Sequence, residues 1–298
     1  MRLSSNESRA NVVAKTPFDP IEIALCEDIG QGDVTTDFFI PAQAQAAARI
    51  ISRENAVVAG TETATAVLHR VDPKLRTQIV RADGRSVRSG ETIIEICGAA
   101  RSILKAERVT LNFLQRLCGI ATLTRKFVQA TRTRRVQILD TRKTTPGLRA
   151  LEKAAVIAGS GKNHRFGLFD MALVKDNHLL VCGGMHRISA SIRRLRQAHP
   201  GIPIEVEADR LDQVRELLAN TEVDLILLDN MPAAEMRKAV ALRKQMRRKI
   251  KFEASGGITL KNIRQVAATG VDYISIGALT HSAPAINLSL EITDVRAA

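Results

Sequence analysis

The chain has 298 residues, 45% hydrophobic and 25% charged, which supplies a sizeable core for one or two globular domains. No apolar run approaches the roughly 18 residues of a membrane span, and the polar opening Met1 to Pro17 lacks the apolar segment of a secretory signal, so a cytoplasmic protein with no membrane partner is expected. Forty-four Lys and Arg against 31 Asp and Glu leave +13, yet aromatics are 3% with no Trp, so stacking platforms are scarce; the basic runs Arg132 to Arg135, Arg193 to Arg196 and Arg243 to Lys251 read as solvated faces and no nucleic-acid partner is expected.

Residues 1–17 read as a loose polar tail. Cys26, Cys97, Cys118 and Cys182 have no paired spacing, which argues against a disulfide framework or metal cluster and fits a reducing compartment. Short strands are expected over Ala46 to Ser52, Ala56 to Ala59, Thr77 to Arg81 and Thr92 to Ile96, with turns at Asp83-Gly84 and Ser89-Gly90 and a helix over Thr61 to Val71. Residues 100–118 carry Ile103, Leu104, Val109, Leu111, Leu114 and Leu117 at three- and four-residue spacing, which predicts a long amphipathic helix. The rhythm then changes near Gly119 to Thr122.

From there six short apolar runs each end in polar residues or a glycine turn. They are Val136 to Leu139, Ala172 to Val174, Ile204 to Glu207, Leu225 to Leu228, Phe252 to Ala254 and Tyr273 to Ile276, each separated by room for a helix. This predicts a parallel α/β repeat. Asp209 and Thr259 are expected to cap helices, and Gly270 to end one. Six strands fall short of the usual eight of a closed barrel, so an incomplete, open barrel is expected. The expected division is a tail 1–17, an N-terminal domain 18–120 joined by 284–298, and a barrel over 121–283.

In such barrels function sits at the carboxyl ends of strands. The first end is Asp140-Thr141-Arg142-Lys143-Thr144-Thr145-Pro146-Gly147, where Arg142 offers a planar fork and Lys143 a point charge for carboxylate or phosphate. A glycine-rich segment, Gly159 to Arg165, ends in His164 and Arg165, both able to donate to an anion. Lys175 follows an apolar strand and is expected near-buried, either paired with an acid or acting as a nucleophile. Glu205 and Glu207 share one face of a strand. Glu207, nearer the carboxyl end, is the better candidate, with Asp229 on the next strand; carboxylates among cations suggest Mg²⁺ or sugar hydroxyls. Ser255-Gly256-Gly257 and Gly277-Ala278 end the last two strands, where glycine lets backbone N–H groups approach a phosphate.

Together these segments resemble the quinolinate phosphoribosyltransferase family. The resemblance runs from Ile21 to Ile292 through Glu27-Asp28-Ile29-Gly30-Gln31-Gly32-Asp33-Val34-Thr35-Thr36, Glu107-Arg108 with Leu111-Asn112, Asp140 to Arg149, Asn163-His164-Arg165, Lys175 to His178, Glu205 to Glu207, Leu228 to Asn230, Ser255 to Gly257 and Ser275 to Ala278. It implies an N-terminal α/β sandwich domain beside the incomplete barrel, and dimers, sometimes hexamers, whose sites the neighbouring subunit completes. It further implies that Arg142, His164, Arg165 and Lys175 hold quinolinate, with Arg108 reaching in from the partner. Lys143 would lie between quinolinate and phosphoribosyl pyrophosphate, Glu207 and Asp229 would serve the ribose and Mg²⁺, and Ser255, Gly256, Gly257, Gly277 and Ala278 would grip the 5′-phosphate. Glu207 to Asp229 is one residue longer than the common family spacing, so Glu205 stays open as the family's glutamate. Three alternatives remain at this point. One is a sibling phosphoribosyltransferase group associated with molybdate transporters. The others are a Schiff-base barrel aldolase using Lys175 or Lys143 and a nucleic-acid binder using the excess charge.

Overall fold

The computed structural model describes residues 18–296; the expected tail lies outside the described residues. Twelve strands follow in chain order: β1 (Gln45–Ser52), β2 (Ala56–Val57), β3 (Arg76–Ile79), β4 (Ser86–Val87), β5 (Thr92–Ala99), β6 (Gln137–Leu139), β7 (Ala172–Val174), β8 (Ile204–Ala208), β9 (Leu225–Asp229), β10 (Lys251–Ser255), β11 (Tyr273–Ser275) and β12 (Leu288–Arg296). They fall into two compact units. One comprises residues 18–125, Thr144–Ser160 and 278–296; the other comprises Lys126–Lys143 and Gly161–Gly277. Among the described residues no helix is long and apolar enough to cross a membrane.

In the first unit β12, β1, β5 and β3 form an antiparallel sheet in that order, and β2 pairs with β4. Alternation places Ala46, Ala48 and Ile50 of β1 on the buried face. There they meet Ile94 and Ile96 of β5, Leu68 of the helix Thr61–Val71, and Ile103, Leu111 and Leu114 of the long helix. That helix spans Ala100–Ala130, 31 residues, and continues through Gly119 to Thr122, where the sequence rhythm changes. A mid-helix glycine costs about 1 kcal/mol against alanine. Gly119 is there for packing: a Cβ would overlap the Pro284 carbonyl oxygen.

In the second unit all six strands are parallel, in the order β6-β11-β10-β9-β8-β7. This is the cyclic order of a barrel cut once, between β6 and β7. Beside the cut, Lys162 bridges to Leu139 on the outer side of β6. Central strands read as unbroken apolar runs, as in Leu225 to Leu228, because parallel strands are covered on both faces.

The helix starts differ in detail from expectation. Gln213, not Asp209, is the capping side chain of the helix Leu211–Ala219, accepting from Asp209 N at 2.8 Å and Arg210 N at 3.3 Å. The helix after β10 is shorter than the periodicity predicts, Ile263–Ala267, with Asn262 at its start and Gly270 three residues past its end. In both places a side chain one turn further on accepts the backbone N–H of the predicted cap residue: Gln213 takes that of Asp209, and Asn262 that of Thr259 at 2.8 Å.

Gly119→Ala forces a methyl group against backbone that cannot rotate away. We expect a loss of about 1–3 kcal/mol, seen as a lower urea midpoint; an unchanged midpoint would show that the Pro284 turn yields freely.

Candidate active site

The carboxyl end of β6 leads into Asp140, which is fully buried and accepts the His164 backbone N–H at 2.9 Å. This bond holds the segment Lys162 to Arg165 against the first strand. Arg142 is half-buried and Lys143 exposed, the Lys143 N–H donating to Thr141 Oγ1 at 3.1 Å. Arg165 is buried and donates from Nη1 to the Met171 carbonyl at 3.1 Å. Burial first, and then the charge of Arg142, lower the Arg165 pKa, with Glu205 and Asp170 acting the other way. The two guanidinium groups stand near enough for their charges to repel, and Glu205 and Asp170 balance that of Arg165.

Lys175, at the end of β7, is 49% exposed in its side chain rather than near-buried. It lies one residue past the last strand position and caps the short helix Asp176–Cys182, which turns it outward. Its ammonium group stands 3.5 Å from Glu207 Oε2 on β8. Burial first raises the Glu207 pKa; Lys175 opposes this, and the negative charges of Asp229 and Asp176 add to it. Lys175, Glu207 and Asp229 therefore form one group across the ends of β7, β8 and β9. Asn230, in the left-handed region at φ 52°, donates from Nδ2 to Asp229 Oδ2 at 2.7 Å and from its backbone to the Ser255 carbonyl at 2.9 Å.

That last bond ties the end of β9 to the glycine turn after β10. Gly256 has φ 89°, and a Cβ there would overlap the Asn230 side chain. Gly257, at φ 60°, faces open space, as a backbone site for a phosphate requires. Gly277 follows β11. Ala278 and Arg108 belong to the first unit: Ala278 opens the four-residue helix Ala278–His281, and Arg108 is exposed on the helix Ala100–Ala130.

The two strand glutamates have separate positions. Glu205 lies deeper, fully buried, with its Oε2 3.0 Å from His164 Nε2. Glu253 of β10, which sequence reading did not single out, approaches the same nitrogen at 3.3 Å and is also fully buried. The available signal was a lone acid inside the apolar run Phe252 to Ala254. His164 Nδ1 accepts the Arg165 N–H at 2.7 Å, so both ring nitrogens are engaged inside the unit. Burial pulls the His164 pKa down, but Glu253 and Glu205 outweigh it and raise it to about 10. Burial and the charge of Glu253 push Glu205 up to about 7 against the lowering effect of His164 and Arg165. Since Nδ1 is an acceptor, Nε2 carries the ring's proton, and the cluster's further proton is shared by the carboxylates. These three side chains also have the spacing of metal ligands, but shared protons already account for two carboxylates meeting one imidazole.

Comparison with known proteins follows the same layout. The family description "Quinolinate phosphoribosyl transferase, C-terminal domain" matches residues 120–291, and its N-terminal counterpart matches residues 33–118. A nicotinate-nucleotide pyrophosphorylase [carboxylating] of Mycobacterium leprae is 42% identical over 92% of this chain and 96% of its own. The chloroplastic enzyme of that name from Oryza sativa is 40% identical over 98% of this chain and 83% of its own. Among solved structures, the nicotinate-nucleotide pyrophosphorylase of Ehrlichia chaffeensis superposes with a TM-score of 0.84 at 38% identity, covering 98% of this chain and all of its own.

The buried cluster makes stability depend on pH. The Glu205 shift is upward, so the folded protein holds a proton that the unfolded chain releases, and stability contributed here falls as pH rises through about 7. Glu205→Gln mimics the protonated acid. Relative to the parent it should gain stability between pH 5 and pH 8 in urea titrations; a relative loss over that window would mean that Glu205 stays ionised throughout.

Proposed function

The chain belongs to the quinolinate phosphoribosyltransferase family, and we propose that it transfers phosphoribosyl from 5-phosphoribosyl 1-pyrophosphate to quinolinate with loss of CO₂. The quinolinate ring nitrogen forms a bond to the anomeric carbon as the bond to pyrophosphate breaks. The carboxylate beside that nitrogen then leaves as CO₂, the positive ring stabilises the electron pair left on carbon, and a proton from solvent completes nicotinate mononucleotide.

The observation that carries this reading is the convergence of Arg142 with Arg165 at one strand end and of Lys175 with Glu207 and Asp229 at the next ends. Cations for a dianionic aromatic acid stand in the same unit as carboxylates for a ribosyl cation. Lys143, exposed beside Arg142, neutralises charge between the two substrates. His164 acts through Arg165, whose backbone N–H it holds. Ser255, Gly256, Gly257, Gly277 and Ala278 are assigned to the 5′-phosphate.

Glu207 and Asp229 offer hard oxygen donors, with the charge of Asp229 near enough to raise the proton affinity of Glu207, a donor set that fits Mg²⁺ completed by diphosphate oxygens. When bound, Mg²⁺ supplies charge for the departing pyrophosphate. A Schiff-base aldolase gains no support from Lys175, which is half-exposed and ion-paired rather than desolvated. We place the protein in the cytoplasm, working as a homodimer with Arg108 completing the partner's site. Exposed apolar side chains support association: Val34, Phe38 and Phe39 on one helix, and Leu180 and Val181 on another.

Incubation with quinolinate, phosphoribosyl pyrophosphate and Mg²⁺ should yield nicotinate mononucleotide, pyrophosphate and CO₂. Nicotinate lacks one carboxylate and so one charge-assisted contact of roughly 1.5–3 kcal/mol. Its kcat/KM should be at least tenfold lower, and equal values for the two acids would overturn the assignment. A second measurement addresses the shared site. Mixing inactive Arg108→Ala with inactive Lys143→Ala subunits should restore part of the activity, because one hybrid site keeps both residues; no recovery, with subunit exchange verified, counts against the shared site.

A further inference from the structure

Glu152 is fully buried in the first turn of the helix Arg149–Ala158, and nothing in the proposed chemistry uses it. Its carboxylate accepts four hydrogen bonds. Arg116 donates from Nη2 at 2.9 Å and Nε at 3.2 Å, and Thr145 donates from Oγ1 at 2.8 Å and from its backbone N–H at 3.1 Å. Arg116 also donates to the carbonyls of Thr280 and of Ala283, the latter at 3.3 Å. One carboxylate and one guanidinium thus bind three stretches of the first unit together: the long helix, the turn Thr145 to Leu148, and the turn after Ala278.

Those stretches adjoin the candidate site along the chain. Only Thr144 separates the anchored Thr145 from Lys143, and Thr280 is two residues past Ala278. Within the turn, Leu148 N donates to the Thr145 carbonyl at 3.0 Å, Arg149 Nε donates to Thr144 Oγ1 at 3.1 Å, and Gly147 sits at φ 79°. A buried carboxylate is costly to desolvate, and an apolar residue would serve the helix's packing at less cost. Saturating it with bonds to one loop fixes that loop's backbone.

We infer that Glu152, held by Arg116, is a positioning residue that fixes the backbone carrying Lys143 and the turn that follows Gly277-Ala278. It acts through Thr145 and Thr280 and touches no substrate. The turnover readout rests on the proposed reaction; the anchoring itself does not.

The test uses the full-length protein and two variants. Glu152→Gln keeps shape but loses the charge and one acceptor; Thr145→Val removes a single hydroxyl and leaves the Arg116–Glu152 pair intact. Displacing a catalytic group by about 1 Å can cost a hundredfold. Glu152→Gln should lower kcat at least tenfold with KM for both substrates within threefold. Thr145→Val should lower it less, and the double variant should be no worse than Glu152→Gln alone. Hydrogen exchange should quicken over residues 141–148 and 278–283 and stay unchanged in the sheet of the second unit. Parent-like exchange and turnover in Glu152→Gln would overturn the inference, as would exchange rising equally everywhere, which marks a purely structural role. Should Glu152→Gln fail to fold, parent-like behaviour of Thr145→Val in both measurements overturns it. If the parent itself does not convert quinolinate, the reaction assignment fails and the exchange pattern alone decides the anchoring.

Discussion

Two carboxylates, Glu205 and Glu253, face the interior of a parallel sheet whose central strands are otherwise apolar, and His164 stands between them. Burying two acids side by side is tolerable only if protons or cations are shared among them. That requirement brings the segment Lys162 to Arg165 to the sheet. Asp140 secures the same segment by its backbone, and His164 in turn holds the backbone N–H of Arg165. The placement of the Arg165 backbone depends on this polar centre. Removing it would leave buried charge without a partner, a larger loss than the bonds themselves represent.

Above that centre the second unit separates its charges by depth. Deep acids share protons with His164, whereas Glu207, one side-chain pair further along β8, meets Lys175 near solvent. A strand alternates faces every residue, so Glu205 and Glu207 point the same way but stand about two residue rises apart, roughly 7 Å. That interval divides a structural acid from one available to ligands. It also separates the two strand glutamates by surroundings: Glu205 is enclosed with His164, and Glu207 stands nearer solvent beside Lys175.

The strand ends are joined by backbone devices as well as by charge. Asn230 adopts a left-handed conformation, packs on Gly256 and fixes the Asp229 carboxylate, so one dipeptide aims an acid and shapes a glycine turn together. The first unit uses a different device, a saturated carboxylate at Glu152. In both, loops that carry candidate functional groups are anchored to regular elements, which is the precondition for pre-organised charge.

Much of this was legible in the residues. All six parallel strands, the antiparallel strands β1 and β5 and the helix Thr61–Val71 follow from periodicity, because burial of one face or of both writes itself directly into the pattern of apolar residues. The strand-end groups Arg142, Lys175, Glu207 and Asp229 followed too, since parallel topology places every carboxyl end on one side. Tertiary structure alone decided the partners. Nothing in spacing joins His164 to Glu253, 89 positions on, or Arg116 to Glu152, because those meetings depend on strand order and helix packing rather than on local period. The exposure of Lys175 and the continuity of the long helix through Gly119 were settled the same way, by a turn's geometry and by a carbonyl packed where a side chain would otherwise be. Sequence determined which groups the chain could bring to a strand end; packing determined which of them stand in solvent, which share a proton, and which hold the others in place.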